Sequence, residues 1–237
     1  VLSGLGALVA GCVVRMPVLV VVGLVVGLGG WHQVRALERA RRELTWRAVG
    51  ALDRRSPLPL ASASGFAFPE VVATRHVAVA IDAARRGNFA LADQAIRGVE
   101  RSELGPLELR LLAAAGSLVS LGLGDEERAA RTAVLAVPTG NAELDGRLAR
   151  AIASRAWDVP ERLGAIDRAW AEAGVLHSQA DALGVLRRLV RVRFDVGLVD
   201  EIPPREAGVL AREARELGDD ALAQLLVDRA RSVRGYR

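Results

Sequence analysis

Apolar positions follow two different rhythms along this chain. From Pro17 to Trp31 they are continuous, PVLVVVGLVVGLGGW, and the first charge after them is Arg35. From Val71 onward they recur every three or four residues, the spacing that lays one apolar stripe along a helix, with short Gly and Pro breaks between stripes. The first rhythm predicts a membrane span, the second an array of amphipathic helices.

The continuous run holds 15 residues. As a helix it is about 22 Å long against a hydrocarbon core of about 30 Å, so it must borrow from its flanks. Trp31 at headgroup depth and a snorkelling Arg35 form one membrane interface and Arg15 the other, which places the span over residues 14–34. Val1–Val14 is apolar too, but drawing it into the same span would bury Arg15 at a cost of at least about 2.5 kcal/mol. The single methionine, Met16, is a candidate start directly before the run. Five arginines (35, 39, 41, 42 and 47) follow the span and only Arg15 precedes it, so the positive-inside rule orients the rest of the chain toward the cytoplasm; a short cytoplasmic N-terminus with a periplasmic domain is the alternative.

Beyond the span, Trp31 to Arg55 reads as one helix with Val34, Leu37, Leu44, Ala48 and Ala51 near heptad spacing. Glu38–Arg42 and Glu43–Arg47 are i,i+4 pairs in the better orientation. Arg41 falls on the apolar stripe, and the segment is predicted to be a solvated stalk, with dimerisation through a coiled-coil seam as the alternative. Prolines 57, 59 and 69 then bracket a Ser/Ala/Gly stretch that cannot continue a helix. Four regions follow: an anchor at 1–34, a basic juxtamembrane stalk at 35–55, a linker at 56–69 and a helical domain at 70–237.

Within the domain the predicted helices run from Val71 to Arg86, Phe89 to Glu100, Leu107 to Leu121, Asp125 to Val137, Ala142 to Trp157, Pro160 to Ala173, Ser178 to Val196, Pro204 to Leu217 and Asp219 to about Arg234. The stretch VRVRFDV at 190–196 alternates like a strand. Leu183, Leu186, Val190 and Phe194 keep the helical rhythm through it, so it is read as helix. Three corners align on their glycines: Gly87 with Phe89 and Ala92, Gly124 with Ala129, and Gly218 with Ala223, a small residue standing five positions after each glycine. This resembles the tetratricopeptide repeat, whose turn reads Gly, any residue, aromatic, then a small residue at plus five. The resemblance covers about three half-repeats, and only Phe89 supplies the turn aromatic. It implies an all-α solenoid of antiparallel helical hairpins with a concave face for a protein or peptide; a generic array of helical hairpins or an all-α bundle is the alternative. Leu8–Cys12, LVAGC, likewise resembles a bacterial lipoprotein box, without the basic residues that a signal peptide places ahead of its apolar segment.

Charge changes the picture in one respect. The sequence pI near 10.6 suggests nucleic acid. However, eight arginines against three acids give residues 1–60 a charge of +5, leaving −1 of the total +4 for residues 61–237. The basic excess therefore belongs to the membrane-proximal segment, and no nucleic-acid partner is expected. All 32 basic residues are arginine, a bias typical of GC-rich bacterial genomes.

Candidate chemistry is sparse. His32, His76 and His177 form no metal motif, no lysine exists to complete a phosphate-binding loop, and no nucleophile elbow occurs. The acidic pairs Glu126-Glu127 and Asp219-Asp220 stand at helix N-termini, where they complement the macrodipole. Trp157 and Trp170 are predicted core residues. Arg187, Arg188 and Arg191 are the densest basic cluster of the domain and the candidate partner-binding site. No catalytic, metal-binding or cofactor-binding residue is assigned. The expectation is a single-span protein of the bacterial inner membrane, not an enzyme, that works as an interaction scaffold or assembly factor through its lipid bilayer anchor and its protein partners. The alternative is a structural subunit of a membrane complex, toward which GxxxG spacing at Gly23 and Gly27 leans.

Overall fold

The three glycine corners are built alike. Gly87, Gly124 and Gly218 all sit in the left-handed region, with φ of 81°, 80° and 86°, where a Cβ would be strained. At each, the amide of the next residue reaches back to a carbonyl of the finished helix: Asn88 to Ala83, Asp125 to Ser120 and Asp219 to Ala214, all at 2.9 Å. The same residue's side chain then caps the next helix by accepting from the amide of Leu91, Arg128 or Leu222. One Gly-Asx dipeptide thus closes one helix and opens another. The small residues Ala92, Ala129 and Ala223 are fully buried, which lets the paired helices approach closely.

The computed structural model describes residues 17–52, 68–174 and 182–232, and these residues hold no strand. Their α-helices are α1 (Pro17–Leu52), α2 (Pro69–Arg85), α3 (Phe89–Arg97), α4 (Pro106–Leu123), α5 (Glu126–Ala136), α6 (Ala142–Ala156), α7 (Pro160–Glu172), α8 (Ala182–Phe194), α9 (Pro204–Leu217) and α10 (Asp220–Arg231). Short 3-10 turns at Arg101–Glu103 and Val196–Glu201, which the apolar pattern does not announce, join α3 to α4 and α8 to α9. The described residues are all-α, and the strand-like VRVRF run ends α8 as helix.

The neighbouring helices α2 and α3, α4 and α5, and α9 and α10 pack on each other, and alternate helices also pack: α2 on α4, α4 on α6, α6 on α8, and α5 on α7. A continuous apolar core runs from Ala48 and Leu52 through Leu111, Ile152 and Trp170 to Leu222 and Leu226. Among the described residues, α4 is the one helix long and apolar enough to cross a membrane by length and composition alone. It is 61% buried within the domain, so its apolarity serves the core. Residues 1–16 of the expected anchor, Cys12 among them, residues 53–55 of the expected stalk and the linker up to 67 lie outside the described residues.

Phe89, the one turn aromatic, is accommodated by a glycine on the facing helix: a Cβ at Gly122 would overlap the Phe89 ring. The guanidinium of Arg155 covers the ring at 4.7 Å. Gly122→Ala is therefore expected to cost about 1–3 kcal/mol by overpacking, despite alanine's higher helix propensity. In a Phe89→Ala background the same change should be neutral or stabilising, and a double-mutant cycle by thermal denaturation measures the difference. Equal costs in both backgrounds would show that the two residues do not interact.

Candidate functional site

α1 is where the sequence regions and the structure part company. The helix is continuous from Pro17 to Leu52, and its last turns are core: Thr45, Ala48, Val49, Ala51 and Leu52 are all buried. The expected solvated stalk is solvated only over its first part. The apolar stripe read as a heptad seam turns inward, with Ala48 and Ala51 buried and Leu44 half-buried. Arg41, which interrupts the stripe, is matched across the interface: its Nε donates to Glu108 Oε1 of α4 at 3.0 Å. Thr45 Oγ1 stands 3.0 Å from the same carboxylate oxygen and 2.9 Å from the Arg41 carbonyl, so its proton is shared between two acceptors. Gly105 makes this approach possible, since a Cβ there would lie 2.7 Å from Glu108 Oε2 and 2.9 Å from Arg41 Nη2.

Next to this network α1, α4 and α6 enclose a surface cleft of about 440 Å³. Val49, Pro106, Leu107 and Leu144 supply its apolar lining, and Arg110, Asn141, Glu143 and Arg147 its polar rim. Several rim groups are held in place: Arg110 donates to the Leu135 carbonyl at 2.7 Å, Arg147 pairs with Glu143 at 2.7 Å, and Asn141 caps α6. Trp46 forms one wall and is 67% exposed, an unusual state for an indole. These groups come from three separate segments, 46–49, 106–110 and 139–147, and share no local motif, so the sequence alone does not reveal the site. Its one visible signal is Trp46 itself, an aromatic outside the apolar stripe of its helix.

The predicted partner cluster is divided by the fold. Arg187 pairs with Asp167 of α7, Nε to Oδ1 at 2.6 Å; Arg188 pairs with Glu206 of α9; Arg191 is exposed. Arginines elsewhere also join helices. Arg162 reaches Glu126 at 3.2 Å and the Leu121 carbonyl at 3.3 Å, and Arg85 reaches Ser154 at 2.9 Å and the Ala151 carbonyl at 3.3 Å. A planar, multidonor guanidinium suits this bridging. Trp157 and Trp170 are 3% and 1% exposed. Asp219 does more than cap: its Oδ2 accepts from Trp157 Nε1 at 3.1 Å and faces Arg193 Nε at 3.1 Å, tying the ends of α6 and α8 to the start of α10.

At the other end of the site, Trp31 is 51% exposed and the Arg35 guanidinium lies 4.5 Å over its ring. Among the described residues no group of three His, Cys, Asp or Glu side chains is arranged to hold a metal. His76 Nδ1 meets the Gly98 carbonyl at 2.8 Å, His32 is exposed, and His177 lies outside the described residues. Comparison with known proteins found no family model, no curated protein and no solved structure that matches this chain.

Proposed function

We propose that this chain is a membrane-anchored interaction scaffold or assembly factor, with α1 as both its anchor and a built-in part of its domain. One observation carries the reading. The first half of a single straight-through helix exposes Val22, Leu24, Val25, Val26 and Leu28, each 45–63% accessible, while its last turns are sealed into the core. Leaving that much contiguous apolar surface in water is costly, and a bilayer removes the cost. Trp31 and Arg35 stand where the aromatic and basic interface residues of a span belong.

The helical domain then works as a tetratricopeptide-like solenoid. The repeated Gly-Asx corners and the packing of α2, α4, α6 and α8 on one another support this, because stacked hairpins bury a continuous core and leave long faces open for partners. The function is binding rather than catalysis, on the cytoplasmic face of a bacterial inner membrane. A second reading, a structural subunit, draws on Gly27 and Gly29: a Cβ at either would meet no other atom within 4 Å, so a neighbouring helix has room to pack there.

Alkaline carbonate washing of membranes should leave the full chain in the pellet, and a chain beginning at Arg35 should move to the supernatant. Recovery of the full chain in the supernatant would remove the anchor. Native electrophoresis after mild detergent extraction separates the two readings: a stoichiometric set of membrane proteins supports the subunit, and a chain that runs alone supports the scaffold.

A further inference from the structure

We propose that α1 and the cleft beside it form the seat of an acidic amphipathic helix belonging to a membrane partner, an inference that rests on the anchored reading above. Trp31, Arg35, Arg39, Arg42 and Trp46 follow at spacings of three and four residues and therefore form one stripe on α1. The face that enters the core carries Thr45, Ala48 and Leu52, so the stripe stays uncovered.

The stripe's charges are only lightly engaged. Arg35 stacks on Trp31, Arg39 Nε donates to the Arg35 carbonyl at 3.2 Å, and Arg42 stands 3.8 Å from Glu38 with both side chains more than half exposed. Carboxylates at matching spacing on a second helix would each meet one guanidinium, and apolar residues at its end would enter the cleft against Trp46, Val49 and Leu107.

Depth decides between a protein and a lipid. Along the helix axis Arg39 lies about 12 Å, Arg42 about 16 Å and Trp46 about 22 Å from Trp31. The headgroup layer is only about 5–7 Å thick, so with Trp31 at the interface a lipid phosphate satisfies Arg35 but not the stripe beyond it. The cleft lies at the end no lipid reaches.

The test places the photo-crosslinking residue benzoylphenylalanine at position 42 or 46 of the full chain in its native membrane. Both positions should attach to one protein, through a peptide whose acids fall on one helical face, and the double change Arg35→Glu with Arg39→Glu should cut the yield at 46 by about tenfold through like-charge repulsion. Phospholipid adducts at 42, no protein adduct at 46, or a yield indifferent to the charge reversal would each overturn the proposal. Arg35 and Arg39 are exposed, so the variant's unfolding midpoint should not move, and that measurement is made alongside. Carbonate washing of the same membranes keeps the two inferences apart: a retained chain without the protein adduct removes only this one, whereas a released chain removes the anchor.

Discussion

Replacing Trp170 by Ala is expected to cost about 3–5 kcal/mol, which lowers the unfolding midpoint by roughly 6–20 °C for a domain of this size. Trp170 is 1% exposed and is the largest of the fully buried side chains. Its indole joins two helices, since Nε1 on α7 donates to the Ala133 carbonyl of α5 at 3.2 Å. Truncation therefore opens a cavity between α5 and α7, whose walls are held apart by the helices themselves. Trp170→Phe should cost only about 1–2 kcal/mol. It keeps most of the packing, and the Ala133 carbonyl retains the Val137 amide at 3.3 Å, so no acceptor is left empty. Trp46→Ala is the matched control: the same residue type, 67% exposed, should change stability by no more than about 0.5 kcal/mol. Circular dichroism at 222 nm with thermal or urea denaturation reads all three. A Trp170→Ala variant within 1 kcal/mol of the parent would mean that α5 and α7 are not packed as described.

The contrast between these two tryptophans marks how far the sequence could be read. Helix starts and corners were legible because their rules are local. Asp125 and Asp219 cap where a Gly-Asx pair announces it, and Pro160 and Pro204 stand in first helical turns. Trp157 and Trp170, on adjacent predicted helices and read as core, are both buried. What escaped is set by distant partners. Arg41 looks like a flaw in an apolar stripe until Glu108, 67 residues away, meets it. Asp167 looks like an ordinary surface acid until Arg187 reaches it from α8. Charge interleaving along a helix is the same pattern whether the acids face water or the arginine of another helix, so a partner cluster at 187–191 and a set of interhelical bridges read identically. The cleft was invisible for the same reason: Trp46, Leu107 and Leu144 become neighbours only when α1, α4 and α6 meet.

The largest effect is expected from cutting α1 away. A natural choice from the sequence is a soluble fragment beginning near Ala61, after the Pro-rich stretch. That fragment loses Thr45, Ala48, Val49, Ala51 and Leu52, all buried, and it uncovers the face of α2 along which α1 lies. The missing apolar burial is worth roughly 5 kcal/mol, comparable to the whole stability of a marginal domain. The fragment should aggregate or melt without a cooperative transition. A fragment beginning at Arg35 keeps Thr45, Ala48, Val49, Ala51 and Leu52 and omits the apolar half that we assign to the bilayer, so it should be soluble and unfold cooperatively. Equal midpoints for the two fragments would show that α1 only leans on the domain. If instead the longer fragment alone folds, the anchor and the core are one helix, and whatever binds along α1 acts directly on the packing of α2, α4 and α6.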